Sequence, residues 1–261
     1  MYILFDLGKT KLRVAGTEDK KNITPVEILK SPNNLKSALD LLVETALKIS
    51  GSKIDGFVGG ITAALDKSRG KETSLIIREK IDRPVFIQND SSLGALGEAI
   101  YGAGKNEKIV GYITVSTGIG GARIADSKID EETQGFEPGH QIISYKENET
   151  LQNLASGEAL QKKYNKPPKE IHDPELWKEL GAILAVGVYN SILHWMPDIV
   201  VLGGSMITGS PAIPISEIEK RLREINTILP SLPQLKMSEL GDENGIYGAL
   251  TYLKQKTGNQ F

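Results

Sequence analysis

"FDLGKTKLRVA", residues 5–15, folds a strand, a turn and a second strand into one short stretch. The apolar residues from Tyr2 to Phe5 read as a buried strand that ends in an acid, Asp6. Gly8, Lys9, Thr10 and Lys11 make a small polar turn, and apolar–polar alternation resumes through Leu12, Val14 and Ala15. A turn this short joins antiparallel strands. A carboxylate at the end of a core strand, beside a turn rich in hydrogen-bond donors, asks for a chemical reason.

Outward from that hairpin, residues 2–30 read as three strands and residues 34–50 as a helix, with Leu35, Ala38, Leu39, Leu42, Val43, Ala46 and Leu47 at helical spacing. A strand "DGFVGGI", a helix "KETSLIIREKI", a strand "PVFIQND" and a small-residue helix "SSLGALGEAIYG" follow. Then the opening pattern returns: "YITVSTGIGGARIA", residues 112–125, is again strand, glycine turn, strand. Residues 126–150 are polar and irregular. A helix "SGEALQKKY", a long apolar helix over 175–195, a buried strand "DIVVLGGSM", an amphipathic helix over 216–229, a short strand "LPQLKMS" and a last helix complete the chain. The repeat predicts two similarly built α/β halves: residues 1–104 with the C-terminal helix 244–261 packing back, and residues 105–243.

Composition narrows the function. With a net charge of −2 and mixed lysines and acids, the chain offers no basic face for nucleic acid or anionic membrane. No apolar run reaches the roughly 18–20 residues of a membrane span, and "MYILFDLG" lacks the form of a signal peptide. The chain has no cysteine, which removes disulfides, thiolate–zinc sites and cysteine nucleophiles and agrees with a cytoplasmic location.

Two lookalike motifs fail. "GKT" at 8–10 would be a P-loop only with a further glycine at the place of Ile3, and a strand rather than a helix follows it. "GIGG" at 118–121 would be a dinucleotide fingerprint only with glycine at the place of Arg123. A different mechanism fits both turns. Successive backbone N–H groups in a glycine turn form an anion-binding concavity, and Thr10 and Thr117 add hydroxyl donors. One such turn per half could grip a polyphosphate across a cleft. Asp6 beside phosphates is then tolerated if a hydrated Mg²⁺ intervenes. The plain alternative is two ordinary hairpins, weakened by a third glycine pair, Gly203–Gly204, after a buried strand. Asp90 follows the strand "PVFIQ" and opens a helix, so on residues alone it is either a helix cap or a reactive acid at a strand end.

In this order the segments resemble the ROK family of sugar kinases and sugar-responsive repressors, of the actin/hexokinase superfamily. "DLGKTKLRVA" resembles its first phosphate motif, "VGGITAALD" its sugar-loop strand, "QNDSSLGALGE" its catalytic segment, "VSTGIGGARI" its second phosphate motif, "EPGH" its sugar motif and "PDIVVLGGSM" its adenosine motif. The resemblance implies two actin-like, ribonuclease H-like lobes with mixed sheets flanked by helices. It implies ATP-dependent phosphorylation of a hexose or amino-sugar hydroxyl, glucose by default, with Asp90 as general base. By the same resemblance Gly60, Thr62, Asn89, Glu137, His140 and Gln152 bind sugar. Asp6, Gly8, Lys9, Thr10, Lys11, Thr117, Gly118, Gly120, Gly203 and Gly204 bind the nucleotide, with Asp6 holding Mg²⁺ through water. Met1 directly precedes the first phosphate strand, where repressors of the family carry a winged helix, which favours the kinase branch; the long helix permits a homodimer.

Several positions depart from the family's pattern. The downstream cysteines that hold zinc in many members are missing, so no zinc is expected and the loop at His140 is expected to rely on packing alone. Gln152 stands where a sugar-binding glutamate is usual, Lys9 replaces a glycine, Thr62–Ala63 replaces Pro-Gly, and Phe136 replaces another glycine. Apart from Lys9, these changes cluster on the sugar side. They motivate an alternative, a catalytically silent sugar-binding or sensing protein of the same fold.

Overall fold

A computed structural model describes residues 1–51, 53–68, 70–130 and 135–258. The end of the expected C-terminal helix, 259–261, and residues 131–134 lie outside the described residues. The chain divides into two compact units: residues 1–101 with the segment from 242 onward, and residues 102–241.

The first unit is built on a five-stranded sheet of β1 (Tyr2–Leu7), β2 (Lys11–Thr17), β3 (Glu27–Lys30), β4 (Gly56–Ile61) and β5 (Val85–Asn89), in the order β3-β2-β1-β4-β5. β1 and β2 pair antiparallel with Leu7 opposite Leu12 and Asp6 opposite Arg13, while β1, β4 and β5 run parallel. The parallel strands read as continuous apolar runs because both sheet faces are covered. Helices α1 (Leu35–Ser50) and α2 (Lys71–Lys80) lie against one face, α3 (Asp90–Tyr101) and α9 (Asn244–Lys256) against the other. α1 starts where Asn34 Oδ1 accepts from Ser37 N and stops at Gly51, whose φ of 55° is left-handed. Its Ala38, Leu39, Leu42 and Ala46 are fully buried. Burying each leucine contributes roughly 1.5–3 kcal/mol.

α3 and α9 pack at backbone distance. A Cβ on Gly248 would lie 1.8 Å from Leu93 O, so the α9 backbone touches the α3 backbone and no side chain fits there.

The second unit repeats the plan. β6 (Ile109–Val115), β7 (Ile119–Ala125), β8 (Lys128–Ile129), β11 (Ile199–Gly203) and β12 (Gln234–Met237) form a sheet in the order β12-β11-β6-β7-β8. Read from its other edge, the order β8-β7-β6-β11-β12 matches β3-β2-β1-β4-β5 strand for strand. β6 and β7 are antiparallel, and β6, β11 and β12 are parallel. α6 (Pro174–Trp195), capped by Asp173 and ended by Met196 at φ 45°, buries Leu176, Trp177, Leu184, Val188, Ile192 and Trp195 in this unit's core.

Three local readings are corrected. Residues 126–150, read as irregular, contain β8, a 3-10 turn at Pro138–His140, and the small pair β9 (Ile142–Ser144) and β10 (Glu149–Thr150). A short helix, α4 (Leu151–Ala155), precedes α5 (Gly157–Tyr164), and another, α7 (Ser205–Thr208), follows β11. The amphipathic helix α8 runs Ile215–Ile225 and stops short of 229, because the Asn226 side chain accepts from Leu229 N and donates to Leu229 O, folding the chain into a turn. Among the described residues no helix is long and apolar enough to cross a membrane.

Candidate functional site

In the first unit the register sets Asp6 opposite Gly60 across β1 and β4, and Ile61 opposite Asn89 across β4 and β5. The carboxyl ends of three parallel strands therefore gather Asp6, Gly60, Thr62, Asn89 and Asp90 along one rim, with the β1–β2 turn at the same end. Such rims collect ligand sites in α/β folds. Thr62 N donates to Leu7 O at 3.1 Å, tying the next loop to the end of β1. A Cβ on Gly60 would stand 2.9 Å from Asp90 Cα, so only glycine lets the start of α3 come this close.

Asn89 and Asp90 divide the work at that helix start. Asn89 Oδ1 accepts from Ser92 N at 3.2 Å, the bond of a helix cap. Asp90, half-buried, accepts at Oδ1 from Ser91 N at 2.9 Å. The capping role open to Asp90 in the sequence thus falls mainly to its neighbour.

The β1–β2 turn is tied by Gly8 N to Lys11 O at 3.0 Å, and Thr10 O accepts from Ser31 N at 3.0 Å. Lys9 keeps a negative φ, so replacing the usual glycine strains nothing. Lys9 and Thr10 are exposed.

Asp6 has a partner that the sequence reading did not supply. Arg13 Nη1 lies 2.8 Å from Asp6 Oδ2, and Arg13 Nη2 lies 2.5 Å from Asp242 Oδ1. Lys11 Nζ closes the chain of charges on Asp242 Oδ2 at 2.6 Å. Asp6 and Arg13 are nearly buried, and Arg13 Nε bonds to no described residue. Burial raises the Asp6 carboxyl above the usual range, with the Arg13 guanidinium pulling the other way. Asp242 is the reverse: burial pushes it up, but its bonds to Lys11 and Arg13 outweigh that and hold it low. Arg13 therefore supplies the positive charge beside Asp6. A single carboxylate with one oxygen in an ion pair is no metal cage, and the described residues contain no group of three or more metal-ligating side chains. It does suit a hydrated Mg²⁺ already carried by phosphates, for which one outer-sphere carboxylate oxygen suffices.

The loop after β4 is pinned by a buried acid. Asp66 is 1% exposed. Its Oδ1 accepts from Ser68 N and Ser68 Oγ, and its Oδ2 from Thr73 N at 3.0 Å and Thr73 Oγ1 at 2.7 Å. Burial raises this carboxyl, but the four bonds prevail and hold it below the ordinary value. Its stabilisation is present above the unfolded pKa of about 4 and is lost as pH falls through the lower folded value. Asp66→Asn, which turns an amide donor toward donors, is expected to cost about 2 kcal/mol in urea unfolding at pH 7, a gap that narrows below about pH 4.

In the second unit, Ser116 N donates to Gly118 O at 2.9 Å across the β6–β7 turn, and Gly157 N and Glu158 N donate to Ser116 O and Thr117 O. The turn is thereby fixed to the start of α5. Gly203, opposite Thr114 in the β6–β11 register, and Gly204, at φ 86°, lie beside it. Thr117, Gly118, Gly120, Gly203 and Gly204 are thus brought together. Gln152 Oε1 accepts from Ile119 N at 2.9 Å, so the residue at the glutamate position braces this hairpin. Glu137 and His140 are exposed on the 3-10 turn, which packs on β7. That loop does not rely on packing alone: Gln141 Nε2 donates to Pro138 O at 2.8 Å and Gly187 O at 3.2 Å, and Gln141 O accepts from Leu151 N at 2.9 Å. Phe136 stacks edge-on against buried Trp195, ring centroids 5.1 Å apart. The bulk that replaces glycine therefore packs against the core of the second unit.

Solved structures of known proteins share this fold. A ROK hexokinase from Thermus thermophilus superposes with a TM-score of 0.78 at 26% identity, over 97% of this chain and 99% of that one. A ROK family glucokinase from Streptomyces griseus, solved with glucose and AMPPNP, gives a TM-score of 0.78 at 19% identity over 97% and 99%. The xylose repressor of Bacillus subtilis is 28% identical over 160 residues, 52% of this chain and 42% of the repressor. The fold is that of ROK sugar kinases. The ROK family model matches residues 2–256, and the chain belongs to the ROK family.

Proposed function

We propose that this protein transfers the γ-phosphoryl group of ATP to a hydroxyl of a hexose or amino sugar, with glucose the first candidate. The observation that carries the reading is the gathering of Asp90, Asn89, Gly60, Thr62 and Asp6 on one strand-end rim of the first unit. Asp90 accepts the proton of the attacking hydroxyl as its oxygen bonds to phosphorus and the bridging oxygen leaves with ADP. The Asn89 amide, Glu137, His140 and the Gln152 amide read the other sugar hydroxyls, which both donate and accept. The Gly8–Thr10 turn and the Thr117–Gly118 turn each offer N–H and hydroxyl donors to phosphate oxygens. Lys9 and Lys11 add positive charge, and the Gly203–Gly204 backbone contacts the nucleoside. Mg²⁺ neutralises phosphate charge when bound, and Asp6 fits it through water.

One observation favours a second reading, a silent sugar sensor. Gln152 Oε1 is spent on Ile119 N rather than open to a sugar, and a repressor is among the relatives. The test is ADP release with glucose, mannose, fructose, N-acetylglucosamine and N-acetylmannosamine, beside calorimetric binding of each sugar. Turnover with one or more sugars is expected. Binding without turnover establishes the sensor, and neither overturns both readings.

A further inference from the structure

β5 is an edge strand, and one side of it is open. Phe57 N donates to Pro84 O at 2.9 Å. In a parallel ladder alternate residues bond to the same neighbour. Pro84, Phe86 and Gln88 therefore face β4, and the N–H and C=O groups of Val85 and Ile87 point away from it. No described residue bonds to them. A groove of about 520 Å³ lies along this edge, lined only by residues of the first unit. Leu75, 60% exposed, stands over it from α2, with Lys71 and Arg78 on either side, while Phe86 and Tyr252 line the opposite sheet face. Lys71 and Arg78 are exposed and form no ion pair with any described residue. The acids of the same helix, Glu72 and Glu79, do not line the groove.

We propose that this groove docks an extended acidic segment of another protein, which adds a strand to β5. Its backbone completes the bonds of Val85 and Ile87, as in strand-addition recognition. Its side chains alternate between the two sheet faces. On the α2 face an apolar residue meets Leu75, and acids two residues to either side meet Lys71 and Arg78, which are about 10 Å apart along the helix. The intervening residues lie over Phe86 and Tyr252. A second copy of this chain is a poorer occupant, because two-fold pairing of β5 with itself sets the Lys71 and Arg78 edge against the same cations. The inference is independent of the kinase reading, since no residue of the groove takes part in phosphoryl transfer.

The test uses a fluorescein-labelled peptide, Asp-Val-Leu-Val-Asp between Gly-Ser flanks, against the same peptide with lysines for the aspartates. The acidic probe is expected to bind the full chain in fluorescence anisotropy at least tenfold more tightly than the lysine probe, and to slow amide exchange at Val85 and Ile87. Lys71→Glu with Arg78→Glu reverses the preference; both positions are exposed, and an unchanged circular dichroism spectrum confirms folding. Equal binding of the two probes, no protection at Val85 and Ile87, or an unreversed preference overturns the proposal. So does a dimer in sedimentation that Leu75→Glu dissolves, because the occupant is then a second copy.

Discussion

Asp90→Asn is expected to lower kcat for sugar phosphorylation by a factor of 10²–10⁴, the usual share of a general base, while the calorimetric affinity for sugar changes little. The amide keeps an oxygen that can accept from Ser91 N, and Asn89 still caps α3, so the helix start survives. The amide has no basic oxygen at neutral pH, so the hydroxyl proton loses its acceptor as the new bond forms. A kcat within tenfold of the parent protein would remove Asp90 from the chemistry and leave it a local backbone brace. A combined loss of turnover and sugar affinity would mean that the carboxylate mainly holds the sugar.

Arg13→Met should destabilise the first unit by roughly 3–5 kcal/mol at pH 7, the cost of removing one partner from a buried ion pair. The methionine preserves the apolar stem, but Asp6 loses the guanidinium beside it and, among the described residues, Asp242 keeps only Lys11. The sign with pH follows. Asp6 already titrates above the ordinary value through burial, and without Arg13 it rises further, so the folded state binds the proton more tightly than the unfolded one. The deficit should therefore shrink as pH falls, because the folded variant takes up the Asp6 proton before the folded parent does. Asp6→Asn on the Arg13→Met background should recover much of the loss at pH 7. Urea unfolding across pH 4–8 reads both effects, and a deficit that does not vary with pH would show that Arg13 acts by packing rather than charge.

Much of this architecture is written in local patterns. The alternation around each glycine turn fixes both hairpins, and the apolar runs "GFVGGI" and "IVVLG", too short for helices and rich in glycine and β-branched residues, read as strands covered on both faces. The Arg13 pairing was also within reach. A hairpin with Lys9 and Thr10 at its tip must set Asp6 opposite Arg13, so register alone identifies the partner. Asp242 was not within reach, since it meets Arg13 only after the chain has passed through the whole second unit. β9, β10 and α4 are illegible in the sequence because elements this short carry no measurable periodicity. The task of Gln152 was hidden for another reason: a side-chain amide chooses between a backbone N–H and a ligand only in three dimensions. The same holds for Asn89, whose spacing from Ser92 suits a cap as well as a sugar contact.

The contact between Gly248 and Leu93 O carries a consequence for which parts of the chain can fold alone. The first unit is discontinuous, since α9 joins it only after residues 102–241 have intervened, whereas the second unit is one contiguous stretch. The second unit can therefore fold from its own segment, while residues 1–101 stay unsealed until α9 is supplied. Truncations that remove α9 should cripple the N-terminal unit while sparing the one made after it.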